Sequence, residues 1–231
     1  MIWMTVFHFC FDLQHFAYFN ANFYTDPLWT LQRGAIVSLF LFCAGISQGV
    51  AVQQGQTWPR FWRRWRQIAI CAALVTVGSY LMYPGSFIYF GVLHGIALML
   101  IIVRLTAHWG RWLWWLGALP WLALWAVPYM HSAWPGLAFL NSPWFNWLGL
   151  VSHKPVTEDY APLVPWLGVM WWGMAAGTWA LRHRAAWLQG RLKGGMQPLT
   201  LLGRWSLTYY MLHQPVLIGL LMLVALLRGA S

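Results

Sequence analysis

The sequence predicts an all-α integral membrane protein: a single bundle of about seven transmembrane helices, with the N-terminus inside and the C-terminus outside. Sixty per cent of the 231 residues are hydrophobic and only 8% are charged, whereas about a quarter of the residues of a soluble domain are charged. The 20 tryptophans suit a membrane–water interface, where indole rings are enriched. About seven apolar runs also approach the roughly 20 residues that a helix needs to cross the hydrocarbon.

These runs predict spans at 1–18, 34–53, 67–83, 91–107, 112–128, 162–181 and 205–227. Three of the connections between them are basic, and the others carry most of the acids. The basic ones are the loop 54–66 with Arg60, Arg63, Arg64 and Arg66, the turn near 108–111 between Arg104 and Arg111, and the loop 182–199 with Arg182, Arg184, Arg191 and Lys193. Basic connections stay in the cytoplasm, which gives the predicted orientation.

The longest outer connection, 129–161, is rich in tryptophan and tyrosine. Connections of this length are usually functional lids or disordered, and an interfacial helix anchored by tryptophan is the alternative. The chain contains no internal repeat or linker, so we predict one domain over 1–231.

Composition also excludes several classes of protein. The net charge of +10 is explained by basic cytoplasmic loops, so no nucleic-acid partner is expected. Cys10, Cys43 and Cys71 lie in apolar runs without CxxC spacing, which favours small buried hydrophobes over a disulfide or metal framework.

The first apolar run contains three polar residues at i, i+4 and i+7: His8, Asp12 and His15. This spacing predicts that they share one helix face. A charged side chain in hydrocarbon costs about 2.5–3.5 kcal/mol on insertion scales, so Asp12 must be paired inside the bundle. We predict that His8 is its partner and that the pair lies within reach of His94 or His213. Such a pair supports acid–base chemistry, and a structural clasp between helices is the alternative.

Other predicted spans also carry polar residues. Arg33 stands at the outer end of the second span, His94 lies in the fourth, and His213 and Gln214 lie in the seventh, where Pro215 predicts a kink. His94 and His108 have a spacing that suits two haem ligands, but a similar pair on a second helix is missing. We therefore expect no haem, and no metal because a tight ligand cluster is not evident.

Four stretches together resemble the heparan-α-glucosaminide N-acetyltransferase catalytic-domain family, particularly its short bacterial members. They are "VFHFCFDLQHF", "GVLHGIAL", "YAPLVPWLGVMWWGMAAG" and "LGRWSLTYYMLHQPVLIGLL", in the family's order. The resemblance implies a transmembrane acyltransferase of the bacterial cytoplasmic (inner) membrane. Such an enzyme would move an acetyl group from cytosolic acetyl-CoA to an amino sugar or glycan on the outer side.

The chain departs from the family's pattern near its start. It begins "MIWMTVFH", without the Ile-Asp-x-x-Arg-Gly type of stretch expected ahead of the first histidine segment. We expect either that the true start lies upstream of Met1, so that the first helix is truncated, or that a polar anchor has been lost. No histidine here matches the catalytic histidine of the animal lysosomal enzyme, so that role is not carried over to a particular residue.

Acetyl transfer needs a base for the attacking amine and donors for the developing oxyanion. His8 oriented by Asp12 suits the base or a transient acyl carrier. The catalytic candidates are His8, Asp12, His94, His213, Gln214 and Arg33. The phosphates of coenzyme A need cations at the cytoplasmic mouth, and the candidates are Arg60, Arg63, Arg64, Arg66 and Arg204. Glu158 and Asp159 of the outer loop are candidates for sugar contacts.

Two other classes of protein compete with this interpretation. A proton-coupled small-molecule transporter would use the buried histidine and aspartate groups as a relay, but corresponding broken helices of an inverted repeat are not seen. A membrane scaffold would gain nothing evident from so many intramembrane polar groups. The expected partners are acetyl-CoA, the glycan acceptor and the lipid bilayer, and a homo-oligomer stays open.

Overall fold

The computed structural model describes residues 1–18, 20–189 and 197–229, and within these ranges it contains helices and turns but no strand. The predicted all-α class is therefore confirmed. The helices are α1 (Ile2–His15), α2 (Pro27–Gln53), α3 (Trp58–Met82), α4 (Val92–Leu105), α5 (Trp112–Ala133), α6 (Leu163–His183), α7 (Ala185–Gln189), α8 (Gln197–Arg204) and α9 (Ser206–Gly229). Short 3-10 helices lie at Ala107–Trp109, Pro135–Asn141 and Asn146–Leu148.

Among the described residues, four helices are long and apolar enough to cross a membrane: α2, α3, α5 and α9. The apolar helix α4 is shorter. Each of the seven predicted runs contains one helix, namely α1 to α6 and α9. The number of spans and the orientation of the termini stay predictions.

Helix α2 begins earlier than the predicted residue 34. Asp26 precedes it, and its Oδ1 accepts a hydrogen bond of 2.8 Å from the backbone N–H of Leu28, which satisfies a donor that the first turn leaves open. Pro27 has the fixed φ that suits a first helical position. Arg33 consequently lies in the second turn of α2, and the predicted start at residue 34 was wrong. Its place at the outer end of a membrane span stays a prediction.

Helix α3 begins at Trp58, so the predicted loop 54–66 is much shorter than expected. Extended Thr57 precedes the helix and Pro59 lies in its first turn, an arrangement that favours helix initiation. The four arginines assigned to that loop are therefore on the first turns of α3 and are exposed: Arg60, Arg63, Arg64 and Arg66. Hydropathy placed the helix start too late because these arginines mask it.

Two other predicted loops were too long. Helix α5 continues to Ala133, so the connection that was predicted to be outside covers 134–162 and not 129–161, and it contains two of the 3-10 helices. The predicted loop 182–199 includes the end of α6, all of α7 and the start of α8. Arg191 and Lys193, which were assigned to this loop, lie outside the described residues.

The chain divides into two compact units. The terminal unit comprises Met1–Ile36 and Gly190–Ser231, and in it α1 packs against α9. The central unit comprises Val37–Gln189, where α5 packs against α6, α3 against α4, and α4 against α6.

Glycines allow α2 and α6 to approach closely in the central unit. A Cβ added at Gly45 or Gly49 would collide with main-chain atoms of α6, and one added at Gly173 or Gly177 would collide with main-chain atoms of α2. Each pair has the spacing of the small-xxx-small motif, which lets the backbones of membrane helices meet. Backbone contact therefore holds these two helices together.

Candidate functional site

The terminal unit brings two predicted histidines together. His8 on α1 and His213 on α9 have ring centroids 5.1 Å apart at an interplanar angle of 73°. His213 is buried and His8 is half-buried. We call these two residues, together with Asp12 and Gln214, the α1–α9 cluster.

One nitrogen of His213 is held by the backbone. Its Nδ1 lies 2.7 Å from the carbonyl oxygen of Tyr210, which can only accept, so Nδ1 carries a proton in this contact. In the neutral ring Nε2 then has a free lone pair. Nε2 is buried and has no hydrogen-bond partner among the described residues. His213 is therefore oriented as a base.

Tyr209 packs against the ring of His213 and is itself held by a hydrogen bond to α1. The ring of Tyr209 stacks on it with centroids 5.9 Å apart and an interplanar angle of 5°. The Tyr209 hydroxyl is 2.5 Å from Oγ1 of Thr5 on α1, and Thr5 donates to the carbonyl of Met1. Since the Thr5 proton is used there, Tyr209 is the donor between the two hydroxyls. Tyr209 could have been predicted from the sequence, because it lies one helical turn before His213. Nothing in the sequence points to Thr5.

Asp12 is buried, with 3% of its surface exposed. Its carboxylate accepts a hydrogen bond from the side chain of Gln214 on α9, while Oδ2 has no partner among the described residues. Nδ1 of His8 is likewise buried without a partner there. The predicted His8–Asp12 pair is thus replaced by a pair across the two helices, because the amide of Gln214 supplies the donor.

Three other residues that the sequence singled out, His15, Arg33 and Arg204, are less buried than Asp12 and His213. His15 is the last residue of α1, three residues after Asp12 and thus on the same side of the helix. It is exposed and makes an edge contact with Phe16, so it does not share the burial of Asp12. Arg33 is half-buried in α2, and Arg204 is exposed at the last residue of α8.

His94, in the central unit, has both nitrogens engaged. Thr76 donates its hydroxyl proton to the carbonyl of Ile88 at 2.8 Å, so Nε2–H of His94 is the donor in its 3.0 Å contact with Thr76. Its Nδ1 accepts from the backbone N–H of Gly91 at 3.3 Å. A ring held at both nitrogens joins α3 to the start of α4 and has no lone pair left for a substrate.

Both acids of the connection 134–162, Glu158 and Asp159, are also engaged. Oδ2 of Asp159 accepts from the backbone N–H of Val92 at 2.7 Å, at the α4 N-terminus, which favours a negative charge. Glu158 accepts from the hydroxyl of Ser86 at 2.6 Å. The structure thus gives these two carboxylates a role in holding the connection against the segment before α4.

Two tyrosines, Tyr160 of this connection and Tyr89 before α4, form hydrogen bonds with Asn146. The Tyr160 hydroxyl donates to the carbonyl of Asn146 at 2.5 Å, and the Asn146 amide donates to the Tyr89 hydroxyl at 2.7 Å. Burial raises the pKa of the Tyr160 phenol, and neighbouring Tyr89 adds to this rise. Burial likewise raises the pKa of Tyr89. Both phenols therefore stay protonated at neutral pH and keep these contacts.

Arg104 lies in the last turn of α4. In the sequence it served only to mark a basic, cytoplasmic turn. Arg104 is half-buried, its Nη2 donates to the carbonyl of Gln56, and its guanidinium lies over the ring of Trp58 at 5.0 Å. Its position inside an apolar run was the signal that could have singled it out. Among the described residues, no group of three or more His, Cys, Asp or Glu could hold a metal ion.

The described residues form helices without strands, four of these helices are long and apolar enough to cross a membrane, and Asp12 and His213 are buried between α1 and α9. These features are those of an integral membrane protein. The sequence model of the family "Heparan-alpha-glucosaminide N-acetyltransferase, catalytic" matches residues 1–215. The chain therefore belongs to this family, and the resemblance noted in the sequence is confirmed. The family points to a membrane acetyltransferase, and its members in general use acetyl-CoA as the donor. Comparison with curated proteins and with solved structures gives no match.

Proposed function

We propose that this protein transfers the acetyl group of acetyl-CoA to an amino sugar or related glycan, and that the α1–α9 cluster performs the chemistry. The observation that carries this proposal is a set of three buried polar atoms without partners among the described residues: Nδ1 of His8, Oδ2 of Asp12 and Nε2 of His213. Each such atom costs about 1–3 kcal/mol when it stays unpaired. A bound substrate with a donor group would supply the missing hydrogen bonds.

In the proposed step, Nε2 of His213 accepts a proton from the acceptor amine as the amine nitrogen attacks the thioester carbon. The carbon–sulfur bond breaks, and the imidazolium returns its proton to the departing sulfur, so that free coenzyme A leaves. His8, beside the ring of His213, accepts a second hydrogen bond from the acceptor. Asp12 stabilises the positive charge that the cluster gains during the step.

The four exposed arginines on the first turns of α3 are the proposed partners of the coenzyme A phosphates: Arg60, Arg63, Arg64 and Arg66. Guanidinium groups bind phosphate through paired hydrogen bonds, and the N-terminus of a helix also favours anions. Arg204, in the terminal unit, is a further candidate for this role.

The proposed orientation places the start of α3 in the cytoplasm and the connection 134–162 outside, with the chain in a bacterial inner membrane. Single cysteines at positions 62 and 142, each in a variant without the native cysteines, test this with an impermeant thiol reagent on intact cells. Labelling at 142 alone is expected. Labelling at 62 alone would reverse the orientation.

The activity itself can be tested on the purified protein in liposomes. Acetyl-CoA with an isotope-labelled acetyl group is added with glucosamine, and mass spectrometry follows labelled N-acetylglucosamine and any labelled protein. Wild-type protein is expected to form product, and the His213→Ala variant is not. Uptake of glucosamine driven by a pH gradient, without acetylation or binding of coenzyme A, would support the transporter instead.

A further inference from the structure

An apolar groove of about 710 Å³ runs along the seam between α3 and α4 in the central unit. Its walls are mostly small or aliphatic side chains, including Ala69 and Ala73 of α3 and Ala97 and Ile101 of α4. The two helices are tied by Trp65, whose indole N–H donates to the carbonyl of Ala97 at 2.8 Å. The groove thus has a fixed apolar floor and is open along its length.

The two ends of the groove differ chemically. At one end lie Phe90, His94 and Trp147, and both nitrogens of His94 are engaged. The lining ends on α4 at Ile101, and Arg104 follows one helical turn later, outside the lining. Its Nη1 is buried without a partner among the described residues, so the fork of the guanidinium makes fewer hydrogen bonds than it can.

The charge of Arg104 also has no carboxylate nearby in its own unit. The only acids of Val37–Gln189 are Glu158 and Asp159, and Asp159 binds the first residue of α4 whereas Arg104 lies at the last turn. At a rise of 1.5 Å per residue, these helix ends are about 18 Å apart. Charged side chains near the membrane pair with acids or with backbone carbonyls. Nη2 of Arg104 already uses the carbonyl of Gln56, so an anionic partner for Nη1 would have to come from outside this unit.

We propose that the groove binds one acyl chain of an anionic phospholipid, whose phosphate pairs with Arg104. The α4 segment from His94 to Arg104 spans about 15 Å, which matches half of the roughly 30 Å hydrocarbon thickness. A chain of one leaflet therefore fills the groove while its phosphate stays at the arginine. Because Nη1 is buried in the structure, the proposal requires the guanidinium to rotate towards that phosphate.

The apolar lining favours a lipid over the other phosphate source, coenzyme A. The pantetheine arm of coenzyme A carries two amides and a hydroxyl, and burying such groups without hydrogen bonds is costly. Hydrocarbon has no such groups to satisfy. The lipid site stands independently of the proposed acetyl transfer, because none of its residues belongs to the α1–α9 cluster.

Native mass spectrometry can test this site on the full chain in detergent with equal phosphatidylglycerol and phosphatidylcholine. Wild-type protein is expected to retain one phosphatidylglycerol preferentially. Arg104→Gln should reduce this preference about tenfold or more, the scale of a charge-assisted hydrogen bond. Arg104→Lys should keep most of it. The control is Arg111→Gln, which removes the same charge from an exposed position.

A second pair of variants tests the groove. Ala73→Phe should fill it and reduce retention of both lipids, while Leu74→Phe, at a neighbouring exposed position outside the lining, should not. Equal preferences in Arg104→Gln and Arg111→Gln, at unchanged melting temperature, would overturn the proposal. So would a tenfold loss of coenzyme A affinity in Arg104→Gln with phosphatidylglycerol retention intact, since the phosphate would then belong to the coenzyme.

Discussion

His94 and His213 are both histidines within apolar helices, yet the structure uses them in opposite ways. His94 donates from Nε2 and accepts at Nδ1, which leaves it no lone pair. His213 donates from Nδ1 and keeps Nε2 buried without a partner among the described residues. Position in an apolar helix does not distinguish the two histidines, since both have it. The free lone pair distinguishes them, because only a ring that keeps one can accept a proton from a substrate.

The largest effect on turnover is expected at His213. We expect His213→Ala to lower the rate of acetyl transfer by about 100- to 10,000-fold, the range of general acid–base catalysis. His15→Ala is the matched control, because His15 is exposed on α1, and it should keep the wild-type rate. Turnover per folded molecule, measured with labelled acetyl-CoA, decides between them. An active His213→Ala variant would remove the residue from the chemistry.

Asp12 is expected to support the chemistry of His213. Asp12→Asn keeps the shape of the side chain but removes the negative charge that stabilises a protonated histidine, so we expect a loss of about 100-fold in turnover. Asp26→Asn is the control, since asparagine also caps a helix well. A variant that only lowers the melting temperature, with turnover per folded molecule unchanged, would make Asp12 a structural clasp.

The arginines of α3 test the donor side. Replacing Arg63 and Arg64 together with alanine should weaken coenzyme A binding about tenfold, as expected for lost charge-assisted hydrogen bonds. It should also reduce the dependence of binding on salt, because screened attraction is what these residues supply. Calorimetry at two ionic strengths measures both effects. Unchanged affinity at low salt would place the phosphates elsewhere.

The smallest effect on turnover is expected at His94. His94→Ala leaves Thr76 and Gly91 without their contacts, each worth about 1–3 kcal/mol when a buried partner is orphaned. The melting temperature should fall, while turnover per folded molecule stays within about twofold. Thr76→Val should reproduce this pattern. A large loss of turnover at unchanged stability would make His94 catalytic and erase the contrast with His213.

The sequence predicted the helices well and their beginnings poorly. Apolar runs located α1 to α6 and α9, because a helix that faces hydrocarbon carries apolar side chains along its length. The start of α2 follows the capping side chain of Asp26 and Pro27, and the start of α3 has Pro59 in its first turn. These residues lie outside the apolar runs, so hydropathy alone does not locate these helix starts.

The candidate site was predicted in its residue types and not in its pairings. The sequence correctly indicated that Asp12 needs a partner, and it predicted His8 on the same helix. In the structure Gln214 from α9 supplies the hydrogen-bond donor instead. The sequence also ranked His94 with His213, because the hydroxyl of Thr76 and the backbone of Gly91 are brought to His94 only by folding. Contacts between helices carry this information, and helical periodicity does not contain it.

The protonation of His94 and His213 tests whether the chemistry belongs to the α1–α9 cluster. In protein labelled with ¹⁵N-histidine and placed in lipid nanodiscs, each ring's two nitrogen resonances report which nitrogen carries the proton. We expect Nε2–H for His94 and Nδ1–H for His213, with only His8 and His213 changing when coenzyme A and glucosamine are added. Substrate-dependent changes at His94, with His213 silent, would contradict the assignment of the chemistry to the α1–α9 cluster.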